Sequence, residues 1–146
     1  MVKYFLKKNG ALEMLDEPQP TCWVNISPPF DQQELTKIAA QFEIPLDFLT
    51  DSLDVDERSR YEREDDVRLI VVNTPIVNEV NQENEAFYIT VPIGIILTID
   101  HIITISAYEN PIIQMFIDGK VKNFIPTDEP DFVLKILEQN VFRFLK

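Results

Sequence analysis

Three aspartates in one short stretch carry the side chains best suited to holding a metal ion. In Leu46-Asp47-Phe48-Leu49-Thr50-Asp51-Ser52-Leu53-Asp54, the residues Asp47, Asp51 and Asp54 recur at i, i+4 and i+7, which on a helix is a single face. Like charges at that spacing cost an isolated helix ~0.2–0.5 kcal/mol per pair. A bound cation is one reason to accept that cost, and all-oxygen donors suit Mg2+ or Ca2+. Plainer reasons compete with it. Asp47 falls in the first turn, where the helix dipole favours negative charge, and acidic residues on an exposed face keep a protein soluble.

Other chemistry is sparse. His101 is the single histidine and Cys22 the single cysteine. Zinc would ask for both types at paired spacing, and a catalytic reading would ask for a nucleophile with its base. His101 reads as a surface histidine, and Cys22, among apolar neighbours, as a small core residue. Gly10, Gly94 and Gly119 lie far apart, so no glycine-rich phosphate loop exists. The sequence does not read as an enzyme.

Composition narrows the remaining classes. The chain has 146 residues, 45 % apolar, and a formal net charge of -12. That length fits one domain with a real core. The acidic balance argues against direct binding of nucleic acid or anionic lipid, both of which need a basic patch. It favours metal ions or basic partners instead. A lone cysteine fits a reducing compartment. Residues 1–8 have no secretory pattern, and the longest apolar region, Ala86 to Ile99, is broken by Thr90, Pro92 and Thr98 and is short of the ~20 residues a membrane span needs.

The elements that would position the aspartates follow from local signals. Val2 to Lys7 and Ala11 to Leu15 flank Asn9-Gly10, a hairpin signal. After a loop from Asp16 to Thr21, Cys22 to Ile26 reads as a strand. Asp31 caps a helix, with Glu34 completing a capping-box pattern and Leu35, Ile38, Ala39 and Phe42 as its buried stripe. Pro45 suits the first position of a second helix, with Leu46, Leu49 and Leu53 facing inward. Val55 to Asp66 is a charged connector in which Arg58, Arg60 and Arg63 would pair with Asp54, Glu57, Glu62 or Glu64. Val67 to Val72 is almost wholly apolar, which predicts a strand covered on both faces. Asn78 to Glu85 reads as an acidic loop. Ala86 to Val91 and Ile93 to Ile99 read as strands, with Pro92 at a bulge or an edge. Asp100-His101 would turn into a strand over Ile102 to Ala107. Pro111 opens a short helix that Gly119 ends. Thr127 or Asp128 caps a last helix with a broad stripe of Phe132, Val133, Ile136, Leu137, Val141, Phe142 and Leu145. That helix meets no glycine or proline before Lys146, which predicts that it continues in a longer protein. Strands interleaved with helices predict an α/β fold, a three-layer α/β/α sandwich around a mixed parallel and antiparallel sheet.

Taken in order, several of these pieces resemble the cytoplasmic N-terminal domain of the CorA family of divalent-cation transporters. They are Trp23-Val24, Glu34-Leu35 with Phe42, Ile44-Pro45-Leu46, Leu49-Thr50-Asp51-Ser52-Leu53, the Arg58-x-Arg60-x-Glu62 connector and Leu69-Ile70-Val71-Val72. Gly94-Ile95-Ile96-Leu97 and Ile102-Ile103-Thr104-Ile105 extend the likeness to a later hairpin. The resemblance implies that residues 1–146 are a single funnel domain of a homopentamer that transports magnesium or cobalt. A stalk, two membrane helices and a Gly-Met-Asn pore signature would lie beyond Lys146, so contact with the membrane would run through helices that this chain lacks. It also implies a regulatory Mg2+, or possible Co2+, held by Asp51 together with a stalk carboxylate of the adjacent subunit. Family members often carry an acidic residue just before that position, where this chain has Thr50; Asp47 and Asp54 are the available substitutes. Two other readings stay open: a zinc-transporting relative, and a stand-alone acidic module that binds a basic protein through Asp47 to Asp66.

Overall fold

The computed structural model describes residues 1–78 and 87–144. The predicted acidic loop after Asn78, Ala86 at the start of the next predicted strand, and Leu145 of the last apolar stripe lie outside the described residues. The chain runs β1 (Val2–Lys8), β2 (Ala11–Leu15), β3 (Trp23–Ile26), α1 (Gln32–Gln41), α2 (Leu46–Asp51), β4 (Arg60–Glu64), β5 (Val67–Asn78), β6 (Phe87–Leu97), β7 (Ile102–Ser106), α3 (Pro111–Ile117) and α4 (Glu129–Phe144). The strands form one seven-stranded sheet in the order β2-β1-β3-β7-β6-β5-β4. β3 and β7 pair parallel, and the other neighbours described are antiparallel.

Strand alternation divides the core into two layers. Cys22, Val24, Ile26, Leu69, Val71, Ile96, Ile103 and Ile105 pack with α1 and α2 through Leu35, Ile38, Phe48 and Leu49. Trp23, Val72, Ile93, Ile95 and Ile102 turn to the opposite face and meet Ile112, Phe116, Phe132 and Ile136 of α3 and α4. The three-layer α/β/α sandwich around a mixed sheet is therefore the observed fold. Trp23 centres the second layer, with ring centroids 4.9 Å from Phe5 and 5.0 Å from Phe132. Its indole N–H donates to Thr104 Oγ1 (2.9 Å), whose hydroxyl donates to Asn25 Oδ1 (2.7 Å). Three buried polar groups are thus satisfied in series.

Several local readings hold in the structure. Asn9 and Gly10 take φ of 53° and 82°, the left-handed pair that a two-residue hairpin turn requires. Asp31 Oδ1 accepts the Glu34 N–H at 2.8 Å. The reciprocal half of the capping box differs, because the Glu34 carboxylate is turned to the Met1 ammonium, 3.6 Å away. Asp128 caps α4 by accepting the Asp131 N–H at 3.2 Å.

Four readings change. The charged connector contains a strand: β4 pairs with β5 from Arg60↔Val71 to Glu64↔Val67. It is an edge strand, where charged side chains discourage pairing with another chain, so apolar alternation never announced it. β6 runs unbroken through Pro92, in register opposite Asn73. The Pro92 carbonyl accepts from Ser106 Oγ at 3.4 Å, which puts its imide nitrogen on the β7 side, one step beyond the last ladder pair, Ile93↔Ser106. No ladder hydrogen bond is lost there. The β6–β7 turn spans Thr98 to His101, closed by Thr98 N–H to His101 O at 3.0 Å, so its centre is Ile99-Asp100 rather than Asp100-His101. Finally, only the inner part of the α4 stripe is covered. Phe132 and Ile136 are buried, whereas Leu137, Val141 and Phe142 are exposed. From that same buried side of α4, Asn140 Nδ2 and Arg143 Nε donate to the carbonyls of Asn73 and Pro75, each at 3.0 Å, beyond the end of β4.

One glycine determines how α2 sits. A Cβ at Gly94 would overlap Ser52 Oγ and come within 2.5 Å of Ser52 Cβ. Ser52 is wholly buried and donates to the Phe48 carbonyl at 2.7 Å. The end of α2 therefore lies directly on β6. Gly94→Ala is expected to lower stability by about 1–3 kcal/mol through overpacking, measured by urea unfolding. Ser52→Gly in the same chain should recover part of that loss, and simple additivity of the two changes would contradict the close approach.

The start of α4 carries a pH dependence. The Lys135 ammonium, 2.5 Å from Asp131 Oδ1, holds the Asp131 carboxyl below the usual carboxylate range. A carboxyl depressed in the folded state adds stability above its unfolded value of about 4 and loses it as pH falls through the folded value. Asp131→Asn should therefore flatten the acid limb of the stability profile below about pH 4. An unchanged limb would contradict the pairing.

Candidate metal-responsive edge

The Pro45 turn and the buried side of α2 fix where the three aspartates lie. Pro45 (φ -61°, ψ 132°) stands just before the helix, which spans Leu46–Asp51. Its inward side is Phe48 and Leu49, both wholly buried, with Leu46 and Leu53 packed partly against them. Phe48 lay outside the leucine spacing read from sequence and is the larger anchor. Asp47 is exposed in the first turn, and Asp51 is the last helical residue, its side chain 40 % exposed. Asp54 lies beyond the helix end, where its Oδ1 accepts the Asp56 N–H at 3.0 Å. Asp47 and Asp51 thus share one helical face, and Asp54 belongs to the next turn of the chain.

Asp51 has a partner that sequence spacing missed. Arg60 Nη2 lies 3.0 Å from Asp51 Oδ2 and 3.2 Å from Glu62 Oε2, and Arg60 Nη1 is paired with Glu57. Glu57 and Glu62 were foreseen as partners and Asp51 was not, because the α2–β4 connection doubles back over nine residues. Arg63 differs from Arg60: its Nε–H donates to the Asp65 carbonyl at 2.9 Å. Arg58 is exposed.

A second acidic surface lies at the end of the sheet near the start of α2. A groove of about 720 Å3 is lined by Glu43, Glu64, Asp65, Asp66, Asp100 and His101, among others, and Asp51 is not part of it. His101 is half-buried at its wall, edge-on to Phe42 with ring centroids 5.0 Å apart. The parallel register Trp23↔Ile102 brings His101 beside Cys22. His101 Nδ1 is 3.0 Å from the Cys22 carbonyl and 3.7 Å from Cys22 Sγ. A carbonyl only accepts, so Nδ1 carries the proton. Two residues that looked remote in sequence therefore touch. Among the described residues, however, no group of three or more His, Cys, Asp or Glu side chains is arranged to hold a metal ion. Burial pushes the Cys22 thiol up from its ordinary value, which leaves it protonated and unreactive at neutral pH. Iodoacetamide should label Cys22 only as fast as the protein opens. Rapid labelling of the native protein would contradict this packing.

Among the described residues, no helix is long and apolar enough to cross a membrane. Residues 18–146 match the family described as "CorA-like Mg2+ transporter protein". A comparison with curated proteins finds no match. The fold is similar to the complete CorA magnesium transporter of Methanocaldococcus jannaschii, with a TM-score of 0.71 and 21 % identity over 99 % of this chain and 45 % of that one. It is similar to the soluble domain of the same transporter (TM-score 0.72, 20 % identity, 99 % of this chain and 57 % of that one). It is also similar to the ZntB cytoplasmic domain of Vibrio parahaemolyticus RIMD 2210633 (TM-score 0.70, 12 % identity, 97 % and 57 %). The chain spans about half the length of these solved relatives. With its sequence matched over residues 18–146, the chain belongs to the CorA-like Mg2+ transporter family.

Proposed function

We propose that this chain is the cytoplasmic, Mg2+-sensing domain of a CorA-like divalent-cation transporter that works as a homopentamer. The placement of Asp51 carries the reading. It closes a helix anchored by the wholly buried Phe48 and Leu49, and its side chain stays 40 % exposed beside Arg60. Oxygen donors suit Mg2+, which keeps several waters and needs only one or two carboxylates from protein. One chain supplies Asp51, with Asp47 a turn earlier and Asp54 a turn later; a neighbouring subunit would supply the remaining carboxylate. A bound ion there would neutralise acidic edges that face one another. Two carboxylates 4 Å apart repel by about 1 kcal/mol in water and about 4 kcal/mol near a protein surface. Millimolar affinity corresponds to about 4 kcal/mol at standard state. The two magnitudes are of the same order, so loss of a weakly held ion would favour separation of the edges.

The likeness to the ZntB domain is nearly as strong in fold as that to CorA. A zinc-transporting relative is therefore the second reading. A stand-alone acidic module is the third. The coding sequence beyond Lys146 separates transport from the module: a long charged helix, two apolar spans and Gly-Met-Asn support transport, whereas a stop codon supports the module; the membrane loop would decide between magnesium and zinc.

In the membrane-embedded protein, millimolar Mg2+ should slow limited proteolysis of the wild type, and Asp51→Asn should remove most of that protection. Equal protection of both proteins by Mg2+ would overturn the assignment of Asp51.

A further inference from the structure

We propose that Arg60 is a built-in rival of the divalent ion for Asp51, a cationic latch that must release that carboxylate before an ion takes it. The inference rests on the ion-sensing reading of Asp51 and adds a competitor carried by the same chain. Arg60 opens β4, and its guanidinium reaches back to the end of α2, 3.0 Å from Asp51 Oδ2. The same guanidinium is paired with Glu57 and lies 3.2 Å from Glu62 Oε2. The cation is the less exposed partner, at 27 % of its side chain against 40 % for Asp51. It is therefore the more enclosed partner, ringed by the carboxylates of Asp51, Glu57 and Glu62. A planar guanidinium presents several fixed donors at once, which suits three converging carboxylates better than a single ammonium does.

Two consequences follow from competition for one carboxylate. The ion meets an Asp51 that is free for only part of the time, so its apparent affinity falls by that fraction. The latch also sets a threshold, because ordinary fluctuations of a weak ion leave Asp51 with Arg60. At this exposure the latch should weaken ion binding about fivefold, equivalent to ~1 kcal/mol. Arg63 offers an internal control. It lies on the same strand and carries the same charge, but its Nε–H donates to the Asp65 carbonyl, so its loss changes net charge without freeing Asp51.

The test is a Mg2+ titration of the 146-residue chain at constant ionic strength, followed by amide shifts of residues 47–62 and by the Arg60 Nε–H signal. Arg60→Gln should tighten binding about fivefold, Arg60→Lys should fall between it and wild type, and Arg63→Gln should match wild type. In the wild type the Arg60 Nε–H signal should move with the same midpoint as the Asp51 amide, an outcome that does not depend on how well any variant folds. Equal affinity of Arg60→Gln and wild type, with the Arg60 signal unmoved, would overturn the latch. If the wild-type shifts still vanished in Asp51→Asn, the ion-sensing reading would survive that result. Shifts that ignore Asp51→Asn, in wild type and Arg60→Gln alike, would remove both.

Discussion

The close approach of α2 to the sheet is the constraint on which the acidic edge depends. A helix of six residues has no stability of its own in water, because nucleation costs more than so few hydrogen bonds return. It persists here because Phe48 and Leu49 are wholly buried and because Gly94 leaves room for Ser52 against β6. Burying side chains of that size contributes about 1.5–3 kcal/mol each. A surface ion pair contributes about 0–1 kcal/mol. Apolar packing therefore determines where Asp47 and Asp51 are, and the charges themselves determine little of the fold. The arrangement separates tasks: one side of α2 supplies the stability, and the other is free to change its ionic partners at small cost.

The rest of the sheet prepares that surface. β5 is long and covered on both faces, with Leu69 and Val71 toward α1 and α2 and Val72 toward α3 and α4. β4 adds only five residues to its edge, and the first of them is Arg60. The strand that ends the sheet thus delivers a cation to the carboxylate that ends the helix. Asp51 is thereby paired within its own chain, although it shares the single guanidinium with Glu57 and Glu62 and the cluster stays acidic. The groove bearing Glu43, Glu64, Asp65, Asp66 and Asp100 has no such pairing with Arg60 and lies near the opposite end of α2.

What the sequence made legible was mostly local. Asn9-Gly10 announces its hairpin, Asp31 and Asp128 announce their caps, and Pro111 and Gly119 bound α3, since each acts within a few residues of itself. The two-faced apolar run of β5 gives the sandwich. The misreadings share a different cause, namely partners set by tertiary path. Nothing in Arg-Tyr-Glu-Arg-Glu marks an edge strand, because edges are kept charged against aggregation. Asp54 left the aspartate face because α2 ends at Asp51, where Ser52 turns into the sheet. Asp51 met Arg60 only through the α2–β4 reversal, and Cys22 met His101 only through the parallel register of β3 and β7, 79 residues apart in sequence. The acidic stretch around Asp51 was readable; the arginine that pairs with it was not.

Paramagnetic relaxation by Mn2+ tests the proposed divalent site most directly, since trace Mn2+ broadens the amides nearest to it even when binding is weak. With Asp51 as the principal ligand, broadening in the 146-residue chain should begin at the end of α2 and the start of β4, around residues 50–54 and 60–62, and Mg2+ should reverse it. Broadening that began instead around Glu64 to Asp66 and Asp100, at the acidic groove, or that spread evenly over the surface, would contradict the assignment of Asp51.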